Sequence, residues 1–330
     1  MNSTNASHQA QSKLSKSKLS NCGPSNSLTR LPQTAGIGFK PEHLDETLAY
    51  NKDLLWCEVH PENYFLNHGP RLAALEAIAQ RHPLSLHGVG GSLGGAERPD
   101  PSHLAKIKAL VDRFNPAAVS EHAVWSSKGG HYFADLLPLP RTEQALAQLI
   151  NGVDAYQNGV GRTILIENPT NYLDFVSEMD EPDFLVAAAQ KSGCGLLLDI
   201  NNLFLSAHNC KMDPHAYIKA LPPALVGEIH IAGHVADEHL GDSLLIDSHA
   251  HPVAPSVWSL LEFALAHLGP KPVLLERDAN LPPFADLIAE RDQAQSIILA
   301  AKNKQLNGDD APIQPASARL TPTSLPVEIL

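Results

Sequence analysis

Residues 228–252 hold five histidines (His230, His234, His239, His249, His251) and five carboxylates (Glu228, Asp237, Glu238, Asp242, Asp247). Neutral imidazole and carboxylate are the donor types that iron, zinc and manganese share. The stretch opens as a short apolar run ending on His230 and closes on Asp247, Ser248 and His249. That pattern predicts half of a metal site, the other half coming from strand ends elsewhere. Within it, His230, Asp247 and His249 are the expected ligands. His234, His239 and His251 are expected to face the pocket or the surface.

The elements that must position these groups are legible as apolar runs, each followed by a helical stretch. The runs are residues 35–39, 54–59, 83–87, 117–120, 163–166, 195–198, 226–229 and 272–275. The helices are expected near 44–51, 71–81, 103–114, 142–158, 182–192, 214–220, 256–268 and 284–302. In the third of these, Leu104, Ile107, Leu110 and Val111 recur at helical spacing. Apolar runs without polar alternation suit parallel strands buried on both faces. Eight such units in a chain of 330 residues predict a single-domain (β/α)8 TIM barrel.

In that fold the active site lies where the strands end. His60, His87, His122, Glu167, Asp199, His230 and Glu276 all fall there. Gathered carboxylates repel and raise one another's pKa, a conflict that cations resolve. With Asp247 and His249 the donors outnumber the three or four that one transition metal takes from protein, so more than one ion is expected, with carboxylates bridging. A donor set without sulfur disfavours copper(I). Asn168 and Asn202 are expected to support the site, Asn202 as a further ligand. The glycine-rich segment 88–95 lacks the Lys-Ser/Thr of a phosphate-binding loop and reads as a mobile or close-packed loop beside His87. No lysine is read at a strand end as the base of a sugar isomerase.

The totals narrow the function further. A net charge of −12 argues against a nucleic-acid partner. The chain has no run of 18 apolar residues, so no membrane span is predicted. Cys22, Cys57, Cys194 and Cys210 form no CxxC pair, which fits a reduced cytoplasmic setting, and the N-terminus lacks the apolar segment of a secretory signal. Residues 1–33, without Asp or Glu, and 303–330, rich in proline, read as disordered tails around a domain at 34–302.

At the strand ends the sequence resembles the multinuclear non-haem iron-dependent oxidases, which include the methanobactin biosynthesis oxidase. The segments that carry the likeness are GIGFKPEH, EVHPENYF, LSLHGVGGSLGG, SEHAVWS, HYFADLLPLP, IENPTNYL, LLLDINNLF, EIHIAGH, DSHAHPV and LLERDANLP. The resemblance implies a barrel of the xylose isomerase and endonuclease IV kind carrying two or three irons. His87, His122 and Glu167 would hold one part of the cluster, and Asp199, His230 and Glu276 another. Asp247 and His249 would complete a third position. Asn202 stands where endonuclease IV has a histidine.

The implied activity is oxidation of cysteine in a ribosomally made precursor peptide, with a mixed-valent Fe(II)/Fe(III) pair and O2 as cosubstrate. Asp247, His249 and Glu276 would be the catalytic residues. The EIHIAGH and DINN segments resemble the bufferin-type branch, whose leader-binding partner acts in trans. A metal-dependent hydrolase or sugar isomerase on the same scaffold is the alternative reading. A non-catalytic metal-binding protein is a third.

Overall fold

Each predicted apolar run becomes a strand of one closed parallel barrel. A computed structural model describes residues 28–175 and 177–307. In chain order the strands are β1 (Ala35–Gly38), β2 (Cys57–Val59), β3 (Leu84–Gly88), β4 (Ala118–His122), β5 (Trp125–Lys128) and β6 (His131–Leu137). They continue with β7 (Leu165–Glu167), β8 (Gly195–Asp199), β9 (Val226–Ile231), β10 (His234–Asp237), β11 (Gly241–Asp247) and β12 (Val273–Leu275). The helices are α1 (Leu44–Ala49), α2 (Pro70–Arg81), α3 (Pro101–Phe114), α4 (Glu143–Val160) and α5 (Glu181–Ser192). After them come α6 (Ile200–Cys210), α7 (Pro214–Ala220), α8 (Pro255–Leu268) and α9 (Phe284–Asn307).

The barrel runs in the order β1-β12-β9-β8-β7-β4-β3-β2. Its strands are short and buried on both faces, as in β8, where all of Gly195–Asp199 is buried. Neighbouring strands bring the expected ends level: His122 pairs with Glu167, and Asp199 with His230. Two antiparallel hairpins, β5–β6 and β10–β11, leave the barrel at the ends of β4 and β9. Residues 234–247, the middle of the histidine-rich stretch, are therefore the second hairpin.

Local chemistry sets the helix ends. Asp100 caps α3 by accepting from Ser102 N, with Pro101 at its first position. Leu104, Ile107, Leu110 and Val111 are its buried face, as the spacing predicts. Thr142 caps α4 and Gly161 ends it at φ 77°, a left-handed turn suited to glycine. Helix α6 was not expected. Asp199, read only as a strand-end ligand, also caps α6, its Oδ1 accepting from Asn202 N at 2.6 Å.

The expected tails lie outside the described residues except at their inner ends. Residues 28–33 do not behave as tail. Arg30 donates to the Pro116 and Asn115 carbonyls at 2.6 and 3.1 Å. Leu31, 7% exposed, packs with Trp56, Ala117, Ala118 and Leu274 to close the barrel floor opposite the site. At the other end α9 continues past 302 to Asn307. Leu31→Ala is expected to cost about 2–4 kcal/mol, read as a lower denaturant midpoint with metal content unchanged.

Candidate metal centre

Residues i and i+2 of a strand share one face. Ser85 and His87, Ser120 and His122, and Glu228 and His230 therefore enter the barrel in pairs, the second of each nearer the mouth. The donor atoms form a chain across that mouth. Glu167 Oε2 lies 3.0 Å from both His87 Nε2 and His122 Nε2, and these two nitrogens are 3.3 Å apart. Glu167 Oε1 faces His230 Nδ1 at 3.7 Å, and His230 Nδ1 is 3.4 Å from Glu276 Oε1. Glu276 Oε2 lies 3.5 Å from His249 Nδ1, and His249 Nε2 is 2.8 Å from Asp247 Oδ1. Donor atoms of His87, Glu167 and His230, and those of Asp199, His230 and Glu276, form two groups within 4.8 Å. His87, His122, Glu167, Asp199, His230 and Glu276 are buried; Asp247 and His249 are half-buried at the open edge.

Neighbouring groups fix the rings. The Gly88 carbonyl lies 3.0 Å from His122 Nδ1. A carbonyl only accepts, so neutral His122 keeps its proton there and turns the Nε2 lone pair to Glu167. His87 Nδ1 meets Ser120 Oγ at 2.8 Å. His249 sits at φ 47°, in the left-handed region that few non-glycine residues adopt. It is held there by its own N–H donating to the Gly233 carbonyl at 3.0 Å and by Asp278 Oδ2, 3.0 Å from Nδ1.

The site carries orphaned buried atoms. Glu167 Oε2, Asp199 Oδ2, both Glu228 oxygens, both His230 nitrogens and His249 Nε2 make no hydrogen bond. Burial would push the Glu167 carboxyl up; the charges of His122 and His87 outweigh it and hold it at about 2. Burial disfavours charge on His87, yet Glu167 lifts it to about 10. Asp199 is pushed well above the carboxylate range by burial and then by Glu167 and Glu276. Buried carboxylates gathered this closely are stabilised by positive charge among them. Such a set fits metal ions, which need deprotonated donors. Metal loading at pH 7 is expected to release about one proton or more per ion, and affinity to fall as pH falls, because His87 then holds its proton more firmly. Calorimetric titration in buffers of different ionisation enthalpy measures this.

The expected residues assemble except His60, whose Nδ1 lies 3.2 Å from the His87 carbonyl and which joins no donor group; three refinements follow. Asn202 lines the wall beside Asp199, its Oδ1 accepting from Thr170 at 2.7 Å and its Nδ2 donating to the Asn168 carbonyl at 3.1 Å; one lone pair of Oδ1 remains. Asn168 locks the ends of β7 and β8 through two bonds to Asp199 backbone, at 3.0 and 2.8 Å. His234 turns aside to Asn201 at 2.8 Å, while His239 and His251 are exposed. Contrary to the sequence reading, a lysine does lie at a strand end. Lys40 follows β1, with its amino group 2.7 Å from Asp278.

Sequence reasoning missed Glu58 and Glu228. Both lie inside the barrel below His230, with Glu58 Oε1 3.4 Å and Glu228 Oε1 3.5 Å from its Nε2. Glu228 is pushed up to about 7, first by burial and then by the Glu58 carboxylate. The spacing of Glu228 two residues before His230 was the available signal. His103 and Glu121 were missed as well. Glu62 Oε1 accepts from Val89 N and Gly90 N at 3.0 Å and lies 3.3 Å from His103 Nε2. Glu121 accepts from Gly91 N at 2.9 Å. These carboxylates occupy the amides of the glycine-rich loop, so the loop is close-packed and cradles no phosphate. Holding Gly88 in place, they also aim His122.

Comparison with known proteins gives both a family and a fold. The family described as RiPP precursor modification enzyme MbnB/TglH/ChrH matches residues 34–299. A UPF0276 protein of Caulobacter vibrioides is 49% identical over 270 residues, 82% of this chain and 96% of that one. One from Bordetella bronchiseptica is 46% identical over 279 residues, 82% of this chain and 96% of that one. Among solved structures, endonuclease IV of Thermus thermophilus superposes with a TM-score of 0.52 at 15% identity, covering 82% of this chain and 99% of that one. D-psicose 3-epimerase of Clostridium cellulolyticum gives 0.51 at 9%, covering 82% and 98%. Both show the same xylose isomerase-like barrel.

Proposed function

The chain belongs to the MbnB/TglH/ChrH family of RiPP precursor modification enzymes, and from that premise we propose that it is an iron- and O2-dependent oxidase of cysteine in a ribosomally made precursor peptide. The observation that carries this reading is the line of orphaned donors centred on Glu167. The count and type of those donors suit two or three ions, and the two oxygens of Glu167, like those of Glu276, each face different imidazoles.

His87, His122 and Glu167 would hold one ion. Asp199, His230 and Glu276 would hold a second, with Asn202 beside it. Asp247 and His249 would complete a third position, nearest the opening. Bound iron supplies one-electron redox chemistry with O2 and affinity for a thiolate. The protein's own residues do the rest. Glu58 and Glu228 lie beneath His230 Nε2, at 3.4 and 3.5 Å, and their negative charge favours a proton at Nε2, which leaves Nδ1 for the centre. Ser120 and Gly88 orient His87 and His122. Asp247, His249 and Glu276 stand where substrate enters and act as the catalytic group, with Asp278 holding His249 at Nδ1. The barrel walls keep bulk water from the buried carboxylates.

The same reading takes a leader-binding protein in trans, a reduced cytoplasmic setting, and no nucleic acid or membrane. Among the described residues no helix is long and apolar enough to cross a membrane. Cys57, Cys194 and Cys210 are free thiols, and Cys22 lies outside the described residues.

The test is to purify the protein, measure iron per chain, and supply reduced iron, O2 and candidate cysteine peptides while following O2 uptake and peptide mass. Two or more irons with O2-dependent mass change support the proposal. Turnover of a sugar or ester with zinc or magnesium in the absence of O2 would replace it with the isomerase or hydrolase reading. Stable metal without any turnover would replace it with a metal-binding role.

A further inference from the structure

The cleft between the ends of β1, β2 and β12 opens onto the candidate centre. Its volume is about 120 Å3, and Glu58 and Glu276 form its floor. The cleft is open to solvent and has room for a short side chain. Phe39, Pro41, Val59 and Tyr64 line it. The segments GFKPEH and EVHPENY build most of these walls.

Two cations stand in this cleft, and they differ in commitment. Lys40 is taken by Asp278 at 2.7 Å. Arg71 is exposed, and its guanidinium makes one long hydrogen bond, to the Asn63 carbonyl at 3.4 Å. Among the described residues no carboxylate pairs with it. It also sits in the first turn of α2, a turn with no acidic residue. The amide dipoles there are positive, so a cation is placed at the wrong end of its helix. An incoming carboxylate in the cleft would pair with the guanidinium and offset this placement.

We propose that Arg71 receives a carboxylate of the peptide substrate, carried next to the cysteine that enters the cleft. The source is an Asp or Glu side chain or the peptide's own α-carboxylate. The proposal rests on the peptide-cysteine reading above and adds to it an acidic neighbour as a specificity element.

The metal-loaded protein is titrated with N-acetylcysteine, which has an α-carboxylate, with acetyl-Cys-Asp-amide, which has a side-chain carboxylate, and with neutral N-acetylcysteinamide. Wild type should bind at least one carboxylate ligand about tenfold more tightly than the neutral one, and which one identifies the source. Arg71→Gln should erase that gap with metal content unchanged. Arg71→Lys should restore part of it, lacking the bidentate fork. No gap in wild type, or the same gap in Arg71→Gln, overturns the role of Arg71. The serine counterparts of the three ligands are run in parallel. Should they bind as well as the thiols, the cysteine reading fails, while the carboxylate gap still decides Arg71.

Discussion

Protein carrying Glu167→Gln is expected to keep its barrel and to lose turnover by about 100-fold or more, with metal content falling by at least one ion per chain. The substitution preserves volume and removes one negative charge. Glu167 is the residue that the other donors share: its Oε2 lies 3.0 Å from two imidazoles and its Oε1 faces a third at 3.7 Å. Glutamine would present a neutral amide to His87 and His122, both of which need an anionic partner to hold a cation between them. Metal analysis of the purified variant, with O2 uptake beside it, is the measurement. Wild-type metal content together with wild-type turnover would remove Glu167 from the centre. Equal loss of metal and fold would show instead that the carboxylate is needed for the barrel, which circular dichroism separates.

The second large effect is expected at Gly233. A methyl group there would lie 1.9 Å from the His251 carbonyl oxygen and 2.7 Å from that of Pro252, both backbone atoms that cannot swing aside. Gly233→Ala must therefore push residues 248–252 away from the end of β9. His249 N–H donates to the Gly233 carbonyl, so the same shift draws His249 from Asp247 and Glu276. Overpacking against backbone costs about 1–3 kcal/mol or more. The catalytic loss should be larger, about 100-fold, because a displacement of about 1 Å is enough for that. The expected signature is selective: Asp247 and His249 lose their ion, while the position at His87, His122 and Glu167 stays loaded. Unchanged activity in Gly233→Ala would mean that His249 is not needed where it stands.

The candidate centre and its surroundings differ in how far they could be read from the chain. His87, His122, Glu167, Asp199, His230 and Glu276 each end an apolar run, and a parallel barrel gathers such ends at one rim. Their identity and convergence therefore follow from order along the sequence alone. His234, His239 and His251 stand apart from the donor chain, whereas Asp247 and His249, which also end no barrel strand, join it by way of the second hairpin. Glu58 and Glu228 were harder. Each breaks an apolar strand, and only the closed barrel brings Glu58, held by Ser85 on the next strand, beside His230 together with Glu228. Glu62 and Glu121 look like ordinary polar residues until the glycine-rich loop folds down and offers them its amides.

The sequence by itself determined the alternation of strand and helix, the barrel and the row of imidazoles and carboxylates at its mouth, because strand period and strand end are local properties. Tertiary structure alone decided the rest. It turned residues 234–247 into a hairpin, placed Leu31 in the floor, gave Asp199 a second role as helix cap, and set two glutamates beneath His230. Each of these depends on contacts between residues distant in the chain, and the free energy of such contacts exists only once the barrel has closed.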